Sequence, residues 1–227
     1  MGLSRKHQLQ GSLAYHLYNR SHCRVPIYEE KDDFIYFIGL LKRFQSKFEA
    51  KIYHWAIMTN HYHLLVELDD PYEISGFVSS LQRAYTAYYH AKYQTVGYLW
   101  QGRFKSQAID KNDYLLACGR YIERNPVKGQ LVQEAWDYKY SSAGFYCLGK
   151  EDNLTVASPA YEEFGQNSQE KMTAYKDYLK EHNEVEEASF DQIERPVGYE
   201  MFLRKLRKER GHYFPRRRGR PMGIFLF

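Results

Sequence analysis

The sequence predicts an α+β fold: a ferredoxin-like (RRM-like) antiparallel sheet with helices on one face, an added helix bearing a tyrosine, and a C-terminal helical and basic extension. Three observations carry this. Hydrophobic spacing alternates between period two and period 3.6 in the order strand, helix, strand, strand, helix, strand, then a further helix. A His-x-His pair splits one strand into a polar and an apolar face. Positive charge gathers at the C-terminus.

Leu13 to Tyr18 is aromatic-rich and reads as the first strand. Lys31 to Phe48 reads as a helix, because Phe34, Phe37, Ile38, Leu41, Phe44 and Phe48 recur at spacings of three and four. Lys51 to Met58 and His61 to Leu68 read as two strands of a hairpin joined at the polar pair Thr59-Asn60. Ser75 to Tyr89 is a second helix with Phe77, Val78, Leu81, Ala84, Tyr85 and Tyr88 on one stripe, and Phe104 to Ile109 is a short fourth strand. Asn112 or Asp113 caps a third helix expected to run to about Arg124, where Pro126 should end it.

The 227 residues allow one compact body plus an extension, and a hydrophobic fraction of 44% allows a real core. Residues 1–147 are read as that body, 148–198 as an acidic, polar linker containing a helix near Gln169 to Glu181, and 199–227 as a basic tail. The three cysteines are scattered, which fits a reducing cytoplasm and argues against a disulfide framework. No apolar run reaches the ~18–20 residues that span a bilayer. Net charge is only +4, yet from Tyr199 to Pro221 nine basic residues stand against Glu200 and Glu209. A basic tail on a near-neutral body suggests a polyanion partner such as nucleic acid, the alternative being a solvated tail. Location at the nucleoid would follow from the first.

Side chains alternate along a strand, so His61 and His63 point to one face, while Tyr62, Leu64, Val66 and Leu68 point into the core. Two neutral imidazoles side by side can bind a divalent metal, although a bare His-x-His also occurs as ordinary surface or core histidines. His16 falls on the neighbouring strand and is read as an ordinary hydrogen-bonding residue. On the third helix Tyr121 and Asn125 are four apart and share a face. A tyrosine hydroxyl, with a pKa of about 10, is a weak nucleophile near neutral pH. A metal polarising a phosphate would help it, and Asn125 could give that metal an oxygen.

These stretches carry a resemblance. MTNHYHLLVEL (Met58 to Leu68) resembles the His-hydrophobic-His motif of HUH-superfamily nucleases. DYLLACGRYIERNPVKGQLV (Asp113 to Val132) resembles the tyrosine helix of single-tyrosine transposases of the insertion-sequence type, with GQL where that family usually reads xGL. LWQGRF (Leu99 to Phe104), WDYKYSS (Trp136 to Ser142) and the opening AYHLYNRSHCRVPIY are also similar, so the resemblance spans roughly residues 10 to 147. The long basic extension looks closest to REP-associated tyrosine transposases. The resemblance implies Tyr121 as nucleophile, His61, His63 and Asn125 as ligands of Mg²⁺ or Mn²⁺, and a 5′-phosphotyrosine intermediate on single-stranded or hairpin DNA. A homodimer is possible in such a family, and the sequence leaves open whether Tyr121 would serve its own subunit. A DNA-binding protein that has lost catalysis is the alternative, against which stand the four retained residues. Paired-tyrosine replication initiators and sheet-face RNA binders fit the motifs less well.

For DNA contact, the candidates in the body are Arg103 and Lys105 beside Trp100. In the extension they are Arg204, Lys205, Arg207 and Lys208 on an amphipathic helix, and Arg216, Arg217, Arg218 and Arg220. The run Arg216 to Pro221 resembles an AT-hook core, with plain phosphate contact the favoured reading.

Overall fold

The computed structural model describes residues 13–70, 72–110, 113–181, 183–191 and 195–209, with the backbone alone at 207 and 209. Expectations for Asn112, the Arg207 side chain and Arg216, Arg217, Arg218 and Arg220 lie outside the described residues.

The strands are β1 (Ala14–Arg20), β2 (Lys51–Ile57), β3 (His61–Glu67) and β4 (Lys105–Ile109). They pair antiparallel throughout in the order β2-β3-β1-β4, the ferredoxin-like order. Helices α1 (Lys31–Lys47) and α2 (Glu73–Tyr93) cover one face. Phe37 and Leu41 from α1, with Phe77, Leu81 and Tyr85 from α2, share a core with Tyr15, Leu17, Tyr62, Leu64 and Val66. Each such fully buried large side chain contributes about 1.5–3 kcal/mol.

The opposite face is also covered. Helix α3 (Asp113–Lys128) lays Leu115, Cys118, Tyr121 and Ile122 on Ala14, Tyr53, Ala56, Leu65 and Ile109. The added tyrosine helix thus closes the face that carries the histidines, and His63 is 2% exposed. Gly119 permits the close approach, since a Cβ there would lie 2.6 Å from the His54 ring.

The proline does not stop α3. Pro126 sits buried inside the helix, which continues to Lys128. A proline this near the end removes only one donor, and the carbonyls of the last turn find partners beyond it. Gly129 N–H donates to the Asn125 carbonyl at 2.8 Å, and Leu131 N–H to that of Pro126 at 2.9 Å.

The expected linker is also corrected. Helix α4 (Ala143–Leu148), a 3-10 turn (Pro159–Phe164) and α5 (Ser168–Lys180) enclose a second core of Ala143, Tyr146, Tyr161, Tyr175 and Leu179. Helix α6 (Glu184–Asp191) packs Phe190 beside Tyr121. Acidic composition conceals these aromatic anchors. One buried group binds the second core to the sheet. The Glu123 carboxyl of α3 meets His54 Nδ1 of β2 at 2.9 Å and accepts from the Tyr175 hydroxyl of α5 at 2.8 Å. The Ser142 hydroxyl donates to it as well.

Val197 pairs with the edge of β4 through Ala108 and Asp110. Helix α7 (Glu200–Glu209) then buries Leu206 in the main core, while Arg204, Lys205 and Lys208 are exposed.

Candidate active site

A cleft of about 480 Å³ opens at one end of the second sheet face. Alternation along β3 brings His61 and His63 to it, and the pairing of Tyr18 with His63 and Lys105 adds β1 and β4. Helix α3 supplies Tyr121 and Asn125 from above. The loop before β4 supplies Gln101 and Arg103. That loop is held by Asn19, whose side-chain amide donates to the Gly102 carbonyl at 3.0 Å. Gly102 has φ +151°, a conformation that needs glycine.

Six residues expected from sequence therefore line one cleft: His61, His63, Tyr121, Asn125, Arg103 and Lys105. All belong to a single chain. Arg204, Lys205 and Lys208 do not line it. Five side chains that sequence reasoning did not single out also line it: Tyr18, Asn19, Arg20, Gln101 and Asp191. Asp191 has no local signal, because it lies 70 residues from its partner Tyr121.

Burial, then the neighbouring Arg20, lowers the His61 pKa to about 4. Burial, then His16 and His61, hold His63 well below its usual range. Both imidazoles are neutral at pH 7, the state in which a ring nitrogen can ligate a metal. The hydrogen bonds also choose the tautomer. His61 Nδ1 lies 2.6 Å from the Asn60 side-chain oxygen and so donates, which leaves its Nε2 lone pair free. The Gln107 side-chain oxygen lies 3.4 Å from His16 Nδ1, while its amide nitrogen donates to the Ser189 carbonyl at 3.0 Å. His16 Nδ1 therefore holds the proton. His16 Nε2 accepts from His63 Nδ1 at 2.8 Å, and His63 likewise keeps a lone pair on Nε2. Thus His16 has the hydrogen-bonding role expected of it, and that role sets the state of His63.

The donor set fits a divalent metal. Two Nε2 lone pairs are available, and Asn125 spends its amide nitrogen on the Tyr121 carbonyl at 2.8 Å, sparing its oxygen. Among the described residues no three His, Cys, Asp or Glu side chains are grouped as a complete site. The Asn125 oxygen, with oxygens of a bound substrate, would have to complete the shell.

Tyr121 is 6% exposed, and its ring meets those of His16 and His63 edge-on, each at 5.7 Å. Its hydroxyl donates to Asp191 Oδ1 at 3.0 Å. Burial, then the Asp191 charge, raises its pKa above the usual 10. The phenol is protonated at rest, and nucleophilic attack would require its proton to leave.

The histidines give a pH dependence. Burial lowers the His16 pKa from 6.5 to about 4, so the unfolded chain takes up this proton first as pH falls. Stability present above about 6.5 is then lost as pH drops toward about 4. For His16 the loss is on the order of 3 kcal/mol, with His61 adding in the same direction. Thermal unfolding of metal-free protein should show the midpoint falling across this window, and His16→Gln should flatten part of the fall. A midpoint indifferent to pH there would contradict the buried neutral assignment.

The sequence profile described as "Transposase IS200 like" matches residues 10–125, just over half of the chain. The chain belongs to the IS200-like transposase family. It is thereby placed among DNA transposases, in keeping with the two motifs and the sheet order. This transposase has the fold of a solved structure described as a REP-associated tyrosine transposase bound to a REP hairpin. The two share 21% identity with a TM-score of 0.52, over 70% of this chain and 96% of the other. Among curated proteins none is similar enough to match. Among the described residues no helix is long and apolar enough to cross a membrane.

Proposed function

We propose that this transposase is a metal-dependent single-stranded DNA endonuclease and strand transferase, acting through a 5′-phosphotyrosine intermediate on Tyr121. The observation that carries the reading is the convergence of Tyr121, His61, His63 and Asn125 in one cleft of one chain. A catalytically silent DNA-binding protein would have no use for a buried tyrosine that shares a cleft with two neutral imidazoles whose Nε2 atoms are free.

Arg20, Arg103 and Lys105 would draw the DNA phosphate into the cleft by charge. The Tyr121 oxygen would attack the phosphorus while the bond to the 3′-oxygen breaks. The DNA 5′ end would be left on the protein and a 3′-hydroxyl set free. The new phosphodiester conserves the energy of the old one, so rejoining needs no nucleotide cofactor. A Mg²⁺ or Mn²⁺ ion held by His61, His63 and Asn125 would neutralise charge at the phosphate. Because one chain supplies all four residues, the cleft needs no second copy to be complete. The target class proposed is a hairpin or palindromic repeat, as in the REP hairpin of the structural neighbour.

The test is cleavage of end-labelled single-stranded DNA carrying imperfect hairpins, with Mg²⁺ or Mn²⁺. Wild type should cleave, and a chelator should stop it. His63→Ala should lower the rate by at least about 100-fold, since even outer partners of a metal ligand are worth 10–100-fold. Full activity in His63→Ala, or with chelator present, would refute the metal assignment.

A further inference from the structure

We propose that Asp191 is the general base for Tyr121, an assignment that rests on the proposed tyrosine chemistry. Asp191 ends α6, well beyond the residues matched by the family profile. Its Oδ1 accepts the Tyr121 hydroxyl at 3.0 Å, so it touches the reacting oxygen itself. It lines the same cleft as the two histidines. Lys128 of α3 lies 3.7 Å from its Oδ2, which leaves Oδ1 for the phenol.

The surroundings hold this contact in place. Phe190, the preceding residue, is fully buried against the Tyr121 ring, with centroids 5.5 Å apart. Ser189, one residue earlier, receives the Gln107 amide that ends the hydrogen-bond chain from His63. Further back on α6, Glu186 pairs with Arg120 and Glu187 with Arg124, both on the tyrosine helix. Three consecutive residues of α6 thus address the histidine tautomer, the tyrosine ring and the tyrosine hydroxyl. Helix α6 is a structural part of the catalytic cleft.

As the Tyr121 oxygen bonds to phosphorus, its proton passes to the Asp191 carboxylate. The departing 3′-oxygen leaves with the electron pair of the broken bond and takes a proton from water. On rejoining, the 3′-hydroxyl attacks and releases its proton to water. The leaving phenolate recovers the proton held by Asp191. A buried tyrosine needs such an acceptor within hydrogen-bond reach, and Asp191 meets that distance.

The experiment compares wild type, Asp191→Asn and Asp191→Glu in single-turnover formation of the covalent adduct on labelled hairpin DNA. Each is measured with tyrosine and with a fluorinated, more acidic tyrosine at position 121. Asp191→Asn should slow adduct formation by about 100-fold or more. DNA affinity, metal affinity and melting should stay unchanged. Asp191→Glu should recover part of the rate. The fluorinated tyrosine should rescue Asp191→Asn, because a more acidic phenol depends less on a base; a purely structural contact would not respond. An Asp191→Asn rate equal to or above wild type would overturn the proposal and show a contact that merely parks the tyrosine. Absence of rescue would overturn it in favour of positioning. Wild type forming no adduct would instead refute the tyrosine chemistry, and the base with it.

Discussion

Replacing Tyr121 with phenylalanine is expected to abolish covalent attachment to DNA while leaving binding intact. The substitution removes one oxygen, the atom that would bond to phosphorus. The ring stays packed against His16, His63 and Phe190. Folding loses one hydrogen bond to Asp191, worth about 0.5–1.5 kcal/mol. Cleavage should fall on the order of 10⁴-fold or more, the scale seen when a nucleophile is removed. The contrast between a small stability change and a collapse in rate is the informative part. Gel analysis of labelled DNA after denaturation checks it, beside a binding isotherm. Residual adduct near the wild-type level would point to another of the 22 tyrosines.

The largest effect on stability is expected at Glu123. This fully buried carboxyl is met by His54 Nδ1, the Ser142 hydroxyl and the Tyr175 hydroxyl, drawn from β2, the start of α4 and α5. Glu123→Ala would leave these groups without a partner and open a cavity under α3. The expected cost is about 3–5 kcal/mol, from orphaned polar groups plus lost packing. Glu123→Gln keeps the shape and one acceptor and should cost less. Urea unfolding measures both. Because Glu123 lies two residues after Tyr121, loosening it should also slow any reaction at the tyrosine. A Glu123→Ala midpoint close to wild type would show that the second core does not depend on this group.

Much of the site was legible because its signals are local. Period-two alternation was enough to place His61 and His63 together on one sheet face, and a spacing of four to place Tyr121 beside Asn125. The strand order β2-β3-β1-β4 agrees with the element order read from hydrophobic spacing. The misreadings share one cause, tertiary context overriding a local rule. Pro126 is a helix breaker by backbone chemistry, yet burial and well-partnered end carbonyls keep it within α3. Residues 148–191 are acidic on average, and the average conceals Tyr161, Tyr175 and Phe190, which pack against the body. Asp191 could not be assigned from sequence, since nothing near it marks a base for a tyrosine 70 residues away. His16 was visible as a neighbour of the pair, but its part in setting the His63 tautomer depends on the orientation of Gln107.

Covalent attachment to DNA through Tyr121 is what the proposed chemistry of this IS200-like transposase requires. The most direct measurement is mass spectrometry of the adduct formed with a hairpin single strand and Mn²⁺, after protease and nuclease digestion. The expected product is a single modified peptide containing Tyr121, carrying a nucleotide through its 5′-phosphate. A nucleotide linked through its 3′-phosphate, one on a different tyrosine, or no linked peptide from DNA that has been cleaved would contradict it.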